Sequence, residues 1–181
     1  MTEELEVLEI VTARLDSASI PYMVTGSIAV NYYAVPRMTR DIDIVVELTA
    51  GAADRVCALF ENDFYVDRGA VHEAAARAGT FNLIHHGHVI KVDFIVRKEN
   101  EYRREEFARR RRVTVEGHEF SIVTVEDLII SKLDWARETR SEVQFADVRN
   151  LLSSTSDIDR DYLARWTVRL GLAPVYREVA G

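Results

Sequence analysis

Apolar side chains recur at steps of three and four near the start of the chain, at Leu5, Leu8, Val11 and Leu15, with Val7, Ile10 and Ala13 beside them. That period predicts an amphipathic helix over 3–18, stopped by Pro21. The run Tyr22-Met23-Val24-Thr25 reads as a short buried strand ended by Gly26-Ser27, and 27–34 as a helix with Ser27 at or near its start and Pro36 beyond its end. Residues 41–48 (DIDIVVEL) alternate polar and apolar at first and then turn continuously apolar, as a central strand does. A helix over 51–62, a strand at 64–66 and a helix over 69–78 follow. FNLIHH and HVIKVDFIV are strand-like runs joined near Gly87, which predicts a hairpin. After a helix at 99–108, VTVEGHEFSIV reads as a second hairpin turning at Glu116-Gly117. From Thr124 the texture changes: TVED resembles a helix N-terminus with a capping side chain. The remainder reads as helix in two or three pieces, broken near 153–156 and 171–174. The pattern predicts an α/β core over 1–123 and a helical extension over 124–181, with Trp135 and Trp166 as core residues of that extension.

Composition narrows the picture. The chain has 181 residues, 48% hydrophobic and 29% charged, which is ordinary globular composition for one domain with a small appendage. Its net charge of −7 excludes a protein that is basic overall and binds nucleic acid non-specifically. The single cysteine, Cys57, excludes an internal disulfide and a multi-cysteine zinc site, and fits a reducing cytoplasm. The acidic N-terminal stretch lacks the positive start and apolar run of a secretion signal. No run approaches the roughly 18 apolar residues of a membrane span. The expectation is a cytoplasmic protein with no membrane partner.

The chemistry concentrates in residues 26–43, GSIAVNYYAVPRMTRDID. Asp41 and Asp43 stand two apart on a predicted strand and so share a face. Two adjacent carboxylates repel unless a cation joins them, and hard oxygen ligands suit Mg²⁺. Asp93 lies in an otherwise largely apolar strand, where a lone acid is costly without a partner. Two readings of it stand: it joins Asp41 and Asp43, or it is an edge-strand residue paired with Lys91 on its own face. Three carboxylates could hold two metals about 3.5–4 Å apart, as in-line phosphoryl displacement uses them. Gly26 permits close backbone approach, and the N–H groups of the following helix with the Ser27 hydroxyl make a phosphate cradle.

These residues resemble the nucleotidyltransferase (DNA polymerase β-like) superfamily, whose pattern is Gly-Ser, about ten to thirteen residues, Asp-apolar-Asp-apolar, and a third acid on a later strand. Here that is Gly26-Ser27, Asp41-Ile42-Asp43-Ile44 and Asp93; one departure is Thr25, where the pattern has an apolar residue before the glycine. Arg37, Thr39, Asp41 and Asp43 further resemble the minimal branch around AbiEii-type toxins of bacterial toxin–antitoxin systems, in which a helix after the core often carries a Lys, matched by Lys132. A second departure is the segment with Arg140, Gln144 and Asp147, where some members have an Arg, a Lys-Asp and a later Asp. The resemblance implies a nucleotidyltransferase fold, a mixed sheet flanked by helices. It implies NTP as substrate and Mg²⁺ (or Mn²⁺) held by Asp41, Asp43 and Asp93, with the same three acids catalytic. Gly26, Ser27, Arg37, Thr39 and Lys132 would then bind the nucleotide.

The implied reaction moves an NMP from an NTP to an acceptor hydroxyl. The arginine run 109–112 tilts the expected acceptor toward tRNA or other RNA in a toxin–antitoxin context; the alternatives are a protein (as for an antitoxin that adenylylates its toxin) or a small molecule such as an aminoglycoside. The opposite class is an idle protein that only binds nucleotide or a cognate toxin or antitoxin. Arg109-Arg110-Arg111-Arg112 is either an RNA-phosphate contact or a solvated helix end. Arg37 and Arg40 either balance the acids or reach a phosphate. His85, His86 and His88 bracket a turn and read as hairpin residues, with at most a faint metal signal.

Overall fold

Each apolar run becomes a strand or a helix stripe. The computed structural model describes residues 2–181. Helix α1 (Glu3–Ser17) leads into β1 (Tyr22–Thr25), α2 (Gly26–Tyr33) and β2 (Asp41–Val46). After a single 3₁₀ turn come α3 (Ala53–Phe60), β3 (Phe64–Val66), α4 (Arg68–Arg77), β4 (Thr80–His85), β5 (Lys91–Val96) and α5 (Glu101–Ala108). The hairpin β6 (Arg111–Val115) and β7 (His118–Ile122) follows, then α6 (Val125–Thr139), α7 (Glu142–Ser154), α8 (Arg160–Arg169) and α9 (Ala173–Ala180). The strands form one mixed sheet in the order β3-β4-β5-β2-β1-β7-β6. The last strand ends at Ile122, and only helices follow it.

β2 and β5 are parallel neighbours at the centre, with Asp41 opposite Lys91, Asp43 opposite Asp93 and Ile44 opposite Phe94. Both alternate strictly. Ile42, Ile44 and Val46, with Val92, Phe94 and Val96, are buried on one side. Asp43 and Val45, with Lys91, Asp93 and Ile95, are only half-buried on the other, and Asp41 is exposed there. A one-residue slip would bury the acids and expose the isoleucines, so the hydrophobic pattern itself fixes the register. On the buried side Phe94 stacks flat on Phe81, with ring centroids 4.9 Å apart, and leans on Phe60 of α3 at 6.0 Å. Arg14 of α1 lies over the Phe60 and Phe64 rings and donates to both oxygens of Asp63.

The helical extension is fastened by one buried acid. The Asp127 carboxylate of α6 accepts from the Thr124 hydroxyl (2.7 Å), Tyr162 of α8 (2.7 Å) and Arg109 (3.1 Å). The Tyr102 hydroxyl of α5 also donates to it, at 3.2 Å. A buried charge with this many partners is tolerated; with none it would be costly.

Four expectations are corrected. Trp166 is buried, but Trp135 is 66% exposed, because it lies off the α6 stripe of Leu128, Leu133 and Ala136. The extension has four helices rather than two or three: Arg140 takes a left-handed conformation (φ 51°), donates its N–H to the Ala136 carbonyl and closes α6. The strand over 41–48 stops at Val46. The arginine run is not a helix end as a whole: Arg109 closes α5, while Arg111 and Arg112 enter β6 opposite Ile122 and Ser121.

Phe94→Ala deletes the ring at the centre of the aromatic cluster. The expected loss is about 3–5 kcal/mol in urea unfolding with an unchanged slope; a loss below about 1 kcal/mol would mean the cluster is not a tightly packed core.

Candidate active site

β1 and β2 are antiparallel, and Thr25 pairs with Asp43. The chain then turns at Gly26 (φ 62°) straight into α2. A Cβ at Gly26 would lie 1.9 Å from Asp43 Oδ2, so only glycine lets the start of α2 sit against this carboxylate. Thr25 places no side-chain cap on α2, which leaves the first-turn N–H groups to another acceptor.

Asp41, Asp43 and Asp93 form a row on the open side of the two central strands. Burial and the charges of Asp93 and Asp41 raise the Asp43 carboxyl above its ordinary value, against the pull of Lys132 and Lys91. Lys91 Nζ lies 2.8 Å from Asp93 Oδ2 and 3.7 Å from Asp41 Oδ1. Asp93 therefore faces Asp43 and also pairs with Lys91, but the edge-strand reading fails, because β5 is an interior strand between β4 and β2. The side chains as they stand do not form a ready cation cage, for among the described residues no three His, Cys, Asp or Glu converge in that way. The donor chemistry nevertheless fits a divalent cation, being all oxygen with one member short of countercharge.

A second group of charges meets over α2. Arg37 Nη2 donates to Ser27 Oγ (2.8 Å) and to Asp147 Oδ2 (2.9 Å), and its Nε donates to Asp147 Oδ1 (2.8 Å). Lys132 Nζ donates to Asp147 Oδ2 (2.8 Å) and Gln144 Oε1 (3.0 Å). Side-chain exposure is only 6% at Lys132 and 4% at Asp147. Burial drives the Lys132 ammonium below its ordinary value, and Asp147 opposes that. Burial pushes Asp147 up, but Arg37 and Lys132 together hold it below the usual carboxylate range. The loop carrying Arg37 is pinned at both ends. Asn31 exchanges hydrogen bonds with the Arg37 backbone, and Asn150 does so with Val35. Thr39 donates to the Asp41 carbonyl at 3.3 Å.

Arg37 alone reaches Ser27, and it meets Lys132 on Asp147, a residue whose role the sequence left undetermined. Its signal was weak: Gln144 and Asp147 stand i, i+3 on α7, among the core positions Phe145, Val148 and Leu151. Asn31 carried no signal at all. Arg140 stands apart and pairs with Glu178 (3.1 Å). The arginine run also lies elsewhere. Arg109 pairs with Glu126 and Asp127, Arg110 donates to the Phe107 carbonyl, Arg111 to the Tyr33 hydroxyl and Arg112 to Asp16. His85 and His88 stack at the β4–β5 turn, as hairpin residues do. A cavity of about 680 Å³ opens beside the loop, lined by Arg37, Thr39 and Arg40 with Ile28, Tyr32 and Met38.

Comparison with known proteins places the chain in a family. The family described as nucleotidyl transferase of unknown function (DUF2204) matches residues 4–168. The chain belongs to that nucleotidyltransferase family. Its sequence matches no curated protein. Among solved structures it is similar to ANT(2″)-Ia in complex with adenylyl-2″-tobramycin, at 15% identity and a TM-score of 0.58 over 97% of this chain and 99% of that one. The lincosamide antibiotic adenylyltransferase LnuA, lincomycin-bound, matches at 15% identity and a TM-score of 0.57 over 86% and 99%. An antigenic nucleotidyltransferase-like protein from Paracoccidioides brasiliensis matches at 19% identity and 0.56 over 84% and 76%. These likenesses show the nucleotidyltransferase fold. No helix among the described residues is long and apolar enough to cross a membrane.

Two variants test this nucleotidyltransferase's site. Asp147→Asn leaves the buried Lys132 without its charge partner and should cost about 3 kcal/mol at neutral pH. The folded-state pKa of Asp147 is depressed, so its stabilisation is present above the unfolded value and lost as pH falls through the folded one. The variant's urea midpoint should therefore vary less with acid pH than the parent's; equal acid limbs would refute the clamp. Gly26→Ala, strained in φ and driven into Asp43, should lower stability by more than about 1 kcal/mol; a neutral result in thermal unfolding would disprove the close approach.

Proposed function

We propose that this nucleotidyltransferase moves a nucleoside monophosphate from an NTP to an acceptor hydroxyl with the help of Mg²⁺ or Mn²⁺. The observation that carries the reading is the contact of Gly26 with Asp43. It sets a phosphate-binding helix start directly beside a row of carboxylates. The first-turn N–H groups of α2 and Ser27 Oγ would take the β- and γ-phosphates. Arg37, bonded to Ser27, and Lys132, gathered with it on Asp147, would supply cationic donors to the same oxygens. Asp147 holds both before the nucleotide arrives, so their ordering entropy is spent on folding rather than on binding. Thr39 steadies the start of β2, next to Asp41.

Asp41, Asp43 and Asp93 would hold the metal, which when bound neutralises triphosphate charge and stabilises the charge that develops during transfer. The acceptor oxygen bonds to the α-phosphorus, the bond from that phosphorus to the bridging oxygen breaks, and pyrophosphate leaves. The acceptor proton passes to the Asp93 carboxylate. Positioning and charge neutralisation carry the rate.

For the acceptor we favour a small molecule: a cavity with the size of a ligand site and a largely apolar wall lies beside Arg37–Arg40, next to the carboxylate row but lined by none of its three acids. Two proteins of similar fold are described with antibiotics or their adenylylated product, which accords with that choice. An RNA acceptor in a toxin–antitoxin setting is the second reading. It rests on Arg109–Arg112 and requires those arginines to exchange their internal partners for phosphates.

The test is incubation with each α-labelled NTP, Mg²⁺ and cell extract. Label should appear on a small-molecule fraction, or on RNA under the second reading, and vanish with Asp43→Asn. Because the Asp43 pKa is raised on folding, its ionised form weakens the fold at neutral pH. The variant's melting point should therefore equal or exceed the parent's. Transfer that survives in Asp43→Asn would refute the assignment.

A further inference from the structure

Two lysines serve the candidate site, and they are held very differently. Lys132 is buried and fastened by two side-chain acceptors on α7. Lys91 reaches the carboxylate row from the open side, with its side chain 41% exposed. Its place follows from strand geometry. It stands opposite Asp41 in the parallel β2–β5 ladder and two residues before Asp93 on its own strand. One ammonium therefore touches Asp93 at 2.8 Å and approaches Asp41 at 3.7 Å, two of the three acids that would hold a metal.

We propose that Lys91 is the built-in countercation of this carboxylate row, which a divalent cation must displace in order to bind, so that Lys91 sets the metal concentration at which the site loads. The inference rests on the metal-dependent reading above. Displacement is physically easy. A half-exposed lysine pair is worth little, and its flexible four-carbon stem lets the ammonium swing away while keeping its charge in water. A divalent ion brings twice the charge to the same oxygens. Without either cation the row would hold three carboxylates close together, which is the costly arrangement. Lys91 thus relieves part of that repulsion in the metal-free protein and makes loading a competition rather than a simple filling of an open site. Displaced, its ammonium remains tethered beside Asp41 and Asp93.

The experiment is Mn²⁺ titration of the whole chain by calorimetry, without nucleotide, on the parent and on Lys91→Met, Lys91→Arg, Arg40→Met and Asp43→Asn. Lys91→Met should bind Mn²⁺ about tenfold more tightly, as expected for losing one positive charge within a few ångströms of the ion. It should also melt lower than the parent without metal and gain more in melting temperature when metal is added. Lys91→Arg keeps the charge and should bind no tighter than the parent. Arg40→Met removes an equal charge beside Asp41 that has no contact with the row, and should change affinity less than about twofold given surface screening. Unchanged or weaker binding by Lys91→Met overturns the proposal, and so does equal tightening by Arg40→Met, which would mean a general charge effect. If the parent binds Mn²⁺ no better than Asp43→Asn, the metal-dependent reading fails and the proposal falls with it.

Discussion

Repulsion between like charges is the constraint around which this structure is arranged. The central strands of a mixed sheet are the best place to bury Ile42, Ile44, Val92 and Phe94, and strict alternation then forces Asp43 and Asp93 side by side on the opposite face. The carboxylates cannot be moved without exposing the core. Their repulsion has to be met locally, and three features meet it. The open side of the sheet keeps the acids partly in water. Lys91 spans Asp41 and Asp93. The Lys132 ammonium pulls the Asp43 carboxyl back toward ionisation.

The same logic explains why a helical extension packs on the sheet. Lys132 and Arg37 are cations suited to phosphate oxygens, yet one is deeply buried and both lie close together. A single carboxylate from α7, Asp147, answers both. That acid belongs to the chain's final third, so the extension completes the site as well as covering it. Asp127 does comparable work at the other end of α6, where it joins α5, α6 and α8. Paired in this way, the buried acids lose much of their desolvation penalty to hydrogen bonds. No buried side-chain nitrogen or oxygen among the described residues is left without a partner.

Charge elsewhere is largely self-contained. Each arginine of the 109–112 run finds an acid, a carbonyl or a hydroxyl within the molecule, and three of them lie over rings of their own chain, Arg109 on Tyr162, Arg110 on Phe107 and Arg111 on Tyr33. Four consecutive arginines point in different directions because the run crosses from a helix end into a strand, where successive side chains alternate faces.

The sequence by itself determined the element types, the Gly-Ser turn and the Asp-x-Asp strand. The third acid on a later strand was legible as well, and it was the family resemblance carried by these residues that implied the nucleotidyltransferase fold. All of these are local signals: a period of two or three to four, a glycine before a helix, two acids on one strand face. Tertiary structure alone decided which charges meet. Lys91 reaches Asp41 through strand register, and Arg37 and Lys132 share Asp147 through helix packing, across separations that no local period encodes. The exposure of Trp135, the break at Arg140 and the split arginine run were likewise decided by packing. In each case the local pattern allowed two outcomes, and the energy of burial against distant residues selected one.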